Sequence, residues 1–518
     1  MSARVYLVGA GPGDPGLLTL RAARCLAEAD VVVHDYLVGP RVLEHVRPDA
    51  EVIAVGRSHE ERLDQAAIGA FLIERVRDGK TVVRLKNGDP FLFGRGGEEA
   101  QALHRAGVPF EIVPGVSSAL AVPAYAGIPL THRDRASLVT IVTGHQARSP
   151  DGGPPGPPSL PWDALVRQGG TLVFLMGMRQ LPAITKALLA HGLPPATPAA
   201  VVQWGTTGGQ ATVTATAATI AERARAACLG PPGVVIIGSV VDLREHVRWF
   251  ERRPLFGRRV VVTRPRAQAG GLADLLEDQG AEVIPFPTIA IVPAPEPGAL
   301  ARAVGAAADY DWIVFTSANG VRAFFDRFAA DGRDLRELAS ARLAVIGPET
   351  ANELRRRLLR PAVEPTDYRA EGLLDALAGE ELRGARILLP RAAGARAILP
   401  ETLRARGARV DEVIAYRAVA PAGADVGALR AALEARQLDA LTFTSSSTVR
   451  NFAALVGERE LPRLVRDGRP VVACIGPVTA ETARECGLPV TVVPPTYTAA
   501  ALAAALVDHF CHAPAGAR

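Results

Sequence analysis

A repeat in the second half does most to limit what this 518-residue chain can fold into. VVVTRPRAQAGGLADLLEDQGAEV, from Val260, recurs as ILLPRAAGARAILPETLRARGARV from Ile387, so that Gly280 matches Gly407. DWIVFTSANGV then matches DALTFTSSSTV, AVIGPETA matches ACIGPVTA, and EPTDYRAEGLLDAL matches VPPTYTAAALAAAL. Four matches in one order, with an offset that drifts only from 127 to 129 residues, are not a chance outcome. Each copy reads strand–helix–strand–helix–strand, which predicts two similar α/β lobes. Ligands of such sheets sit beyond the carboxyl ends of the strands, so a cleft between the lobes is the expected site.

The chain is too long for a single core, and three or four domains are expected. The first half alternates strand-like runs with helical stretches, the strands being VYLVG, VVVHD, TVVRL, EIVP, LVTIVTGH, TLVFLMG, AAVVQW and GVVIIG. Its insert SPDGGPPGPPSLP, residues 149–161, reads as a surface loop. The halves part at REHVRWFERRPLFGRR, where a helix ends near Pro254 and the strand RRVVVTR begins. Two regions are therefore expected, 1–250 and 256–515.

A formal charge of +4 with no lysine-rich block supports neither a nucleic-acid nor a membrane partner. No apolar run approaches the ~20 residues of a membrane span, and no leader precedes the first strand. Cys25, Cys228, Cys474, Cys486 and Cys511 form no short-spaced set, which suits reduced thiols in the cytoplasm. His509, Cys511 and His512 lie close together at the end and read as a frayed terminus, so no metal site is expected.

The turn Gly9-Ala10-Gly11-Pro12-Gly13-Asp14 follows the first strand. A dinucleotide fingerprint would need glycine where Asp14 stands, and Pro12 removes an N–H from any phosphate cradle. The turn therefore suits a ligand without phosphates, and an NAD-dependent oxidoreductase is excluded. Asp35 ends a strand, where it is a turn residue, a helix cap or a catalytic carboxylate. NGDPFLFGRGGEE surrounds Asp89 with glycines that let backbone approach a ligand. Ser117 and Ser118 open a helix, where hydroxyls cap or contact ligand.

GAGPGD, VVVHD, GDPFLFGRGGEE, VPGVSSA, GIPLTHRD, LVTGH-like VTGH, LVFLMGM and WGTTGGQ together resemble uroporphyrinogen-III C-methyltransferase, over residues 3 to about 250. The resemblance implies the tetrapyrrole-methylase fold of two α/β subdomains and S-adenosylmethionine as cofactor, a ligand without phosphates. It places the cofactor against Pro12, Asn87, Gly88, Asp89, Leu92, Ser117, Ser118, Met176, Gly205 and Gly233. It makes Asp35 the proton acceptor for methyl transfer to a pyrrole carbon. The family's VGKR reads VGRS here, so Arg57 stands where a proton-donating lysine is usual. An arginine stays protonated and binds substrate carboxylates better than it donates protons. Asn87 replaces a usual glycine, a change that left-handed geometry tolerates. A homodimer through this half is also implied.

VVVTRP, FTSANGV, AVIGPET, VIAYRA, FTSSSTV and CIGPVTAE resemble uroporphyrinogen-III synthase, over about 256–512. This family closes hydroxymethylbilane with inversion of its last ring and uses no cofactor. The resemblance implies a bilobal fold, lobe one combining about 256–291 with 420–512 and lobe two spanning about 292–419. Thr316, Ser317 and Asn319 from one lobe, Thr444, Ser445 and Ser446 from the other, and Arg264 and Arg391 would bind the poly-acid substrate. Tyr416 would assist loss of the hydroxyl leaving group, unless it is a core or interface tyrosine.

The two implied activities are consecutive. A bifunctional enzyme is expected, making uroporphyrinogen III and methylating it twice to precorrin-2, at the branch toward sirohaem and cobalamin. The dehydrogenase and ferrochelatase often joined to such methyltransferases would need a further N-terminal domain, and none is expected. The alternative is a methyltransferase for a later corrin precursor with a non-catalytic tetrapyrrole-binding module.

Overall fold

The computed structural model describes residues 3–512 apart from 48, 57–64, 145–158, 264–265, 420–424 and 467. Arg57, Arg264 and most of the proline-rich insert lie outside the described residues. The chain forms two compact units, Met1–Phe286 with Asp425–Arg518, and Pro287–Ala424.

In the first unit, β1 (Val5–Gly9), β2 (Val31–Asp35), β3 (Glu51–Val55), β4 (Val82–Lys86) and β5 (Phe110–Val113) form a wholly parallel sheet in the order β3-β2-β4-β1-β5. Helices cover both faces, so the central strands are apolar on both sides. Tyr6 and Val8 pack with Ala22 and Leu26 on one face, while Val5 and Leu7 pack with Ile68, Leu72 and Leu103 on the other. A second sheet holds β6 (Val139–Thr143), β7 (Thr171–Leu175), β8 (Pro198–Gln203), β9 (Ala211–Thr216) and β10 (Gly233–Ile237), ordered β6-β7-β10-β8-β9 and mostly antiparallel. β3 and β9 are edge strands absent from the sequence reading. β9 alternates apolar residues with threonine and lacks the continuous apolar run of the inner strands, whereas β3, EVIAV, has such a run although only its last residue is buried.

Ten strands follow: β11 (Arg259–Val262), β12 (Glu282–Pro285), β13 (Ala290–Pro293), β14 (Trp312–Phe315), β15 (Arg342–Val345), β16 (Arg386–Ala392), β17 (Arg409–Val419), β18 (Ala440–Phe443), β19 (Val471–Cys474) and β20 (Val490–Val492). One sheet runs β12-β11-β18-β19-β20, the other β13-β17-β16-β14-β15. The repeat pairs β11 with β16, β12 with β17, β18 with β14 and β19 with β15. Matched in this way the two sheets have the same order, and the parallel bridge of Ala344 to Val363 stands in for β20. Each sheet joins the opening strands of one copy to the closing strands of the other. β13, antiparallel to β17, is an addition to the second sheet alone.

The segment between the halves is packed. Tyr125, Trp249, Phe250 and Phe256 form a chain of ring contacts, with the Arg253 guanidinium 4.8 Å from the Trp249 ring centre. Arg41, buried beyond β2, pairs with Glu44 on its own side and with Asp274 and Glu277 on the helix Arg266–Asp278. Burial raises the Glu277 carboxyl, an effect that Arg41 opposes.

Candidate active sites

The turns that follow β1, β4 and β5 meet at three glycines. A side chain on Gly9 would come within 2.5 Å of the Gly115 Cα, and one on Gly115 within 2.3 Å of the Gly88 carbonyl. Only glycine permits that crossing. Gly11 and Gly88 exchange backbone hydrogen bonds of 3.3 and 2.8 Å, which binds the Pro12 turn to the Asn87-Gly88-Asp89 turn. Asp89 fixes its own loop by accepting from Phe91 N at 2.8 Å and Gly115 N at 3.0 Å. Ser117 caps the helix Ser118–Tyr125 by accepting from Ala119 N, and Gly88 lies beside this helix start.

Asp14 has four partners, its carbonyl accepting from Leu17 N at 3.0 Å. It accepts from Gly16 N at 2.7 Å and from the Tyr125 hydroxyl at 2.6 Å, while its own N–H donates to Thr206 Oγ1 at 3.1 Å. It ties the first turn to the loop Trp204–Gln210. Burial and the Asp14 carboxylate together raise the Tyr125 hydroxyl, which stays a donor. Gly205 abuts Val122 so closely that a Cβ would fall 2.4 Å from Val122 Cγ1. Among the described residues, eight non-glycine residues have positive φ, and Phe93, Arg95, Met176, Trp204 and Thr206 lie on these same loops. Backbone strain of this kind clusters at functional sites. Leu92 packs under the loops and Met176 is half exposed at the end of β7. Gly233 opens β10, where an added Cβ would meet Met178 Cγ and Sδ at 3.0 Å.

Asp35 ends β2. In the sheet its neighbour His34 aligns with Leu85 of β4, which in turn aligns with Val8 of β1. Two strand spacings, about 10 Å, therefore separate Asp35 from the glycine turn. Arg84, buried on β4, pairs with the Asp35 carboxylate and, at 3.2 Å, with Glu99. Glu99 also accepts from Lys86 at 2.9 Å and from Gln65 at 2.6 Å. Sequence reasoning missed Arg84, Lys86 and Glu99. Their signal was two cations within a run otherwise fit for a central strand.

In the second unit, Tyr416 on β17 is buried, and its hydroxyl lies 2.9 Å from Ser317 Oγ. Ser317 caps the helix Ala318–Ala330, accepting from Gly320 N at 3.1 Å. Thr316 and Asn319 flank it, both partly exposed. Arg391 is buried on β16 and held by Glu412 at 2.6 Å and by the Arg396 carbonyl. Its guanidinium is committed inside its own lobe.

In the first unit, Ser445 caps the helix Ser446–Val456 in a reciprocal box with Thr448. Ser446 Oγ accepts from Thr482 at 2.9 Å, and Thr444 is partly exposed beside them. Among the described residues no three His, Cys, Asp or Glu converge to hold a metal ion, and no helix is long and apolar enough to cross a membrane.

A parallel α/β module with a strained, glycine-built cradle, followed by a pair of repeat-built lobes, defines a two-module class of protein. Residues 4–221 match the tetrapyrrole (corrin/porphyrin) methylases, and residues 271–504 match uroporphyrinogen-III synthase HemD. The porphyrin biosynthesis protein HemD of Ruminiclostridium josui is 37% identical over 485 residues, spanning 93% of this chain and 94% of that protein. The uroporphyrinogen-III C-methyltransferase of Bacillus subtilis (strain 168) is 40% identical over 363 residues, spanning 70% of this chain and 73% of that protein. A solved uroporphyrin-III C-methyl transferase from Thermus thermophilus, complexed with S-adenyl homocysteine, is 42% identical over 46% of this chain and 100% of its own, with a TM-score of 0.40. The chain belongs to the porphyrin-biosynthesis family in which a tetrapyrrole methylase is fused to a uroporphyrinogen-III synthase.

Proposed function

We propose that this chain is a bifunctional enzyme that cyclises hydroxymethylbilane to uroporphyrinogen III and methylates that product twice to precorrin-2. The reading divides the chain near residues 250–256. The observation that carries it is the presence, in one polypeptide matching both families, of the glycine cradle beside Asp35 and of the Tyr416–Ser317 pair.

The cradle fits S-adenosylmethionine. It offers backbone, the hydroxyls of Ser117 and Ser118 and the apolar Leu92 and Met176, while Pro12 and Asp14 disfavour a phosphate. Asn87, Gly88, Asp89 and Gly205 complete the proposed contacts, with Gly233 farther back. When bound, the cofactor supplies an electrophilic methyl on a sulfonium. The chain's task is to hold the pyrrole carbon in line with it and to accept the proton the ring then gives up. Asp35 is the acceptor and Arg57 a clamp for a substrate carboxylate. In the synthase module Tyr416 donates a hydrogen bond to the departing hydroxyl. The turns at Thr316, Ser317 and Asn319, and at Thr444, Ser445 and Ser446, bind carboxylates, as does Arg264. The synthase works without a cofactor, and the protein is a cytoplasmic homodimer through its methylase half.

Mass spectrometry and isomer analysis of the product from hydroxymethylbilane and S-adenosylmethionine test the proposal. The expected product is doubly methylated and of the type III series. An unmethylated product would refute the methylase assignment, and a type I product the synthase assignment.

A further inference from the structure

Behind Asp35 lies a row of ionisable groups that the proposed chemistry does not use. The Arg84 and Lys86 side chains are each 3% exposed and that of Glu99 is fully buried, whereas that of Asp35 is 30% exposed. Their surroundings are apolar, since the same face of the sheet carries Val82 and Val33 and packs against Leu72 and Leu103 of the covering helices. Each buried ion in such a place costs several kcal/mol in lost hydration, and a hydrophobic core would be as stable or more so. The row is therefore a poor device for stability alone.

The bonding around Arg84 indicates what it does. Its Nε donates to Glu99 at 3.2 Å, and its Nη1 donates to the Val33 and Leu85 carbonyls at 3.3 and 3.2 Å. Those bonds fix the planar guanidinium from behind and from the side. Nη2 is left to donate to Asp35 Oδ1, the one member of the row that reaches solvent. A planar fork locked on several sides transmits its orientation to whatever it binds last. Glu99 is itself held by Lys86 and Gln65, so the fixed end of the row is anchored in two helices and a central strand. Burial, and next the neighbouring Arg84 charge, lower the Lys86 ammonium.

We propose that Arg84, braced by Glu99, is a positioning residue for methyl transfer: it aims the Asp35 carboxylate at the proton the methylated ring must lose. This rests on the reading of Asp35 as proton acceptor. The step it serves is a plain transfer, in which the ring–hydrogen bond breaks, its electron pair returns to the ring, and the proton passes to the carboxylate.

The test uses the full chain, with cyclisation of hydroxymethylbilane as the internal control for folding. Arg84→Gln should lower kcat for methylation about 100-fold, the scale expected when a reacting group is misplaced by an ångström. KM for S-adenosylmethionine and the cyclisation rate should not change. Arg84→Lys, which restores one charge-assisted donor, should recover part of the loss. In an Asp35→Asn background, Arg84→Gln should cause no further loss, because nothing remains for it to aim. An equal further loss in that background, or an Arg84→Gln enzyme with unchanged kcat, would overturn the inference. Full activity of Asp35→Asn alone would instead overturn the reading of Asp35. If Arg84→Gln fails to fold, Glu99→Gln decides: it should lower kcat while sparing KM, and an unchanged kcat would count against Arg84.

Discussion

The repeat sets the same serine at the same point of two lobes, yet the two hydroxyls are used differently. In FTSANGV, Ser317 spends one hydrogen bond on its helix cap and meets Tyr416 with the other. In FTSSSTV, Ser445 closes a box with Thr448 and lies 3.0 Å from Ser447, so its hydroxyl is satisfied within its own turn. The matched turn is first a helix-capping device, which both copies need because each begins a buried helix after a buried strand. In the second unit's copy the hydroxyl also meets a tyrosine. Tyr416 lies where β17 pairs with the extra strand β13, opposite Pro293.

The sharpest test of this asymmetry is Tyr416→Phe. Cyclisation to the type III isomer should fall by at least about 100-fold, the range for loss of a group that handles protons. Type I product should accumulate by spontaneous closure, and methylation of supplied uroporphyrinogen III should continue. Isomer analysis of the products reads both effects, and a variant still making type III product at the normal rate would place the chemistry elsewhere. Next in size is the pair Ser317→Ala and Ser445→Ala. Each removes a cap and should cost about 1 kcal/mol of stability. Ser317→Ala should also lower kcat about tenfold through the lost bond to Tyr416, whereas Ser445→Ala should raise KM for hydroxymethylbilane and spare kcat. Equal kcat losses in steady-state assays would mean that both lobes share the chemistry.

The repeat, the glycine turns and the inner strands were legible because each is a local pattern: a recurring string, a left-handed backbone, an unbroken apolar run. β9 was not, because its alternating threonines dilute the apolar signal, and β3 was passed over although Val52–Val55 is an apolar run. The glycine loops were placed by motif, and the geometry adds why Gly9 and Gly115 cannot carry side chains. Asp14 could be excluded as a phosphate partner from sequence, but its bond to Tyr125 joins positions 111 residues apart and left no local trace. Arg84 and Glu99 were hidden for a related reason. A charge in a strand run normally lowers the case for burial, and only the fold shows that the charges neutralise one another. Arg391 is the converse. A basic residue in a strand looks like a substrate clamp, and its pairing with Glu412, 21 residues on, leaves no local trace in the sequence.

The last prediction, confined to alkaline pH, turns on one more difference between the copies. Val345 in β15 corresponds to Cys474 in β19, and both are fully buried. Burial is the leading cause that pushes the Cys474 thiol from its ordinary 9.0 up to about 12, with Arg484 pulling weakly the other way. The unfolded chain releases this proton near pH 9, while the folded lobe keeps it until about pH 12. Between those values the folded state binds more protons, so stability must fall as pH rises, by at most about 1.4 kcal/mol per unit from this one group. Below pH 9 the contribution is fully present. Cys474→Val installs the side chain that the other lobe already carries at this place. The variant should match the parent in thermal midpoint near pH 8 and exceed it progressively above pH 9. Other groups titrate in both proteins alike, so the divergence between the two curves isolates Cys474. Parallel curves would mean that the thiol reaches water in the folded lobe, and that the two copies differ at β19 in more than the identity of one side chain.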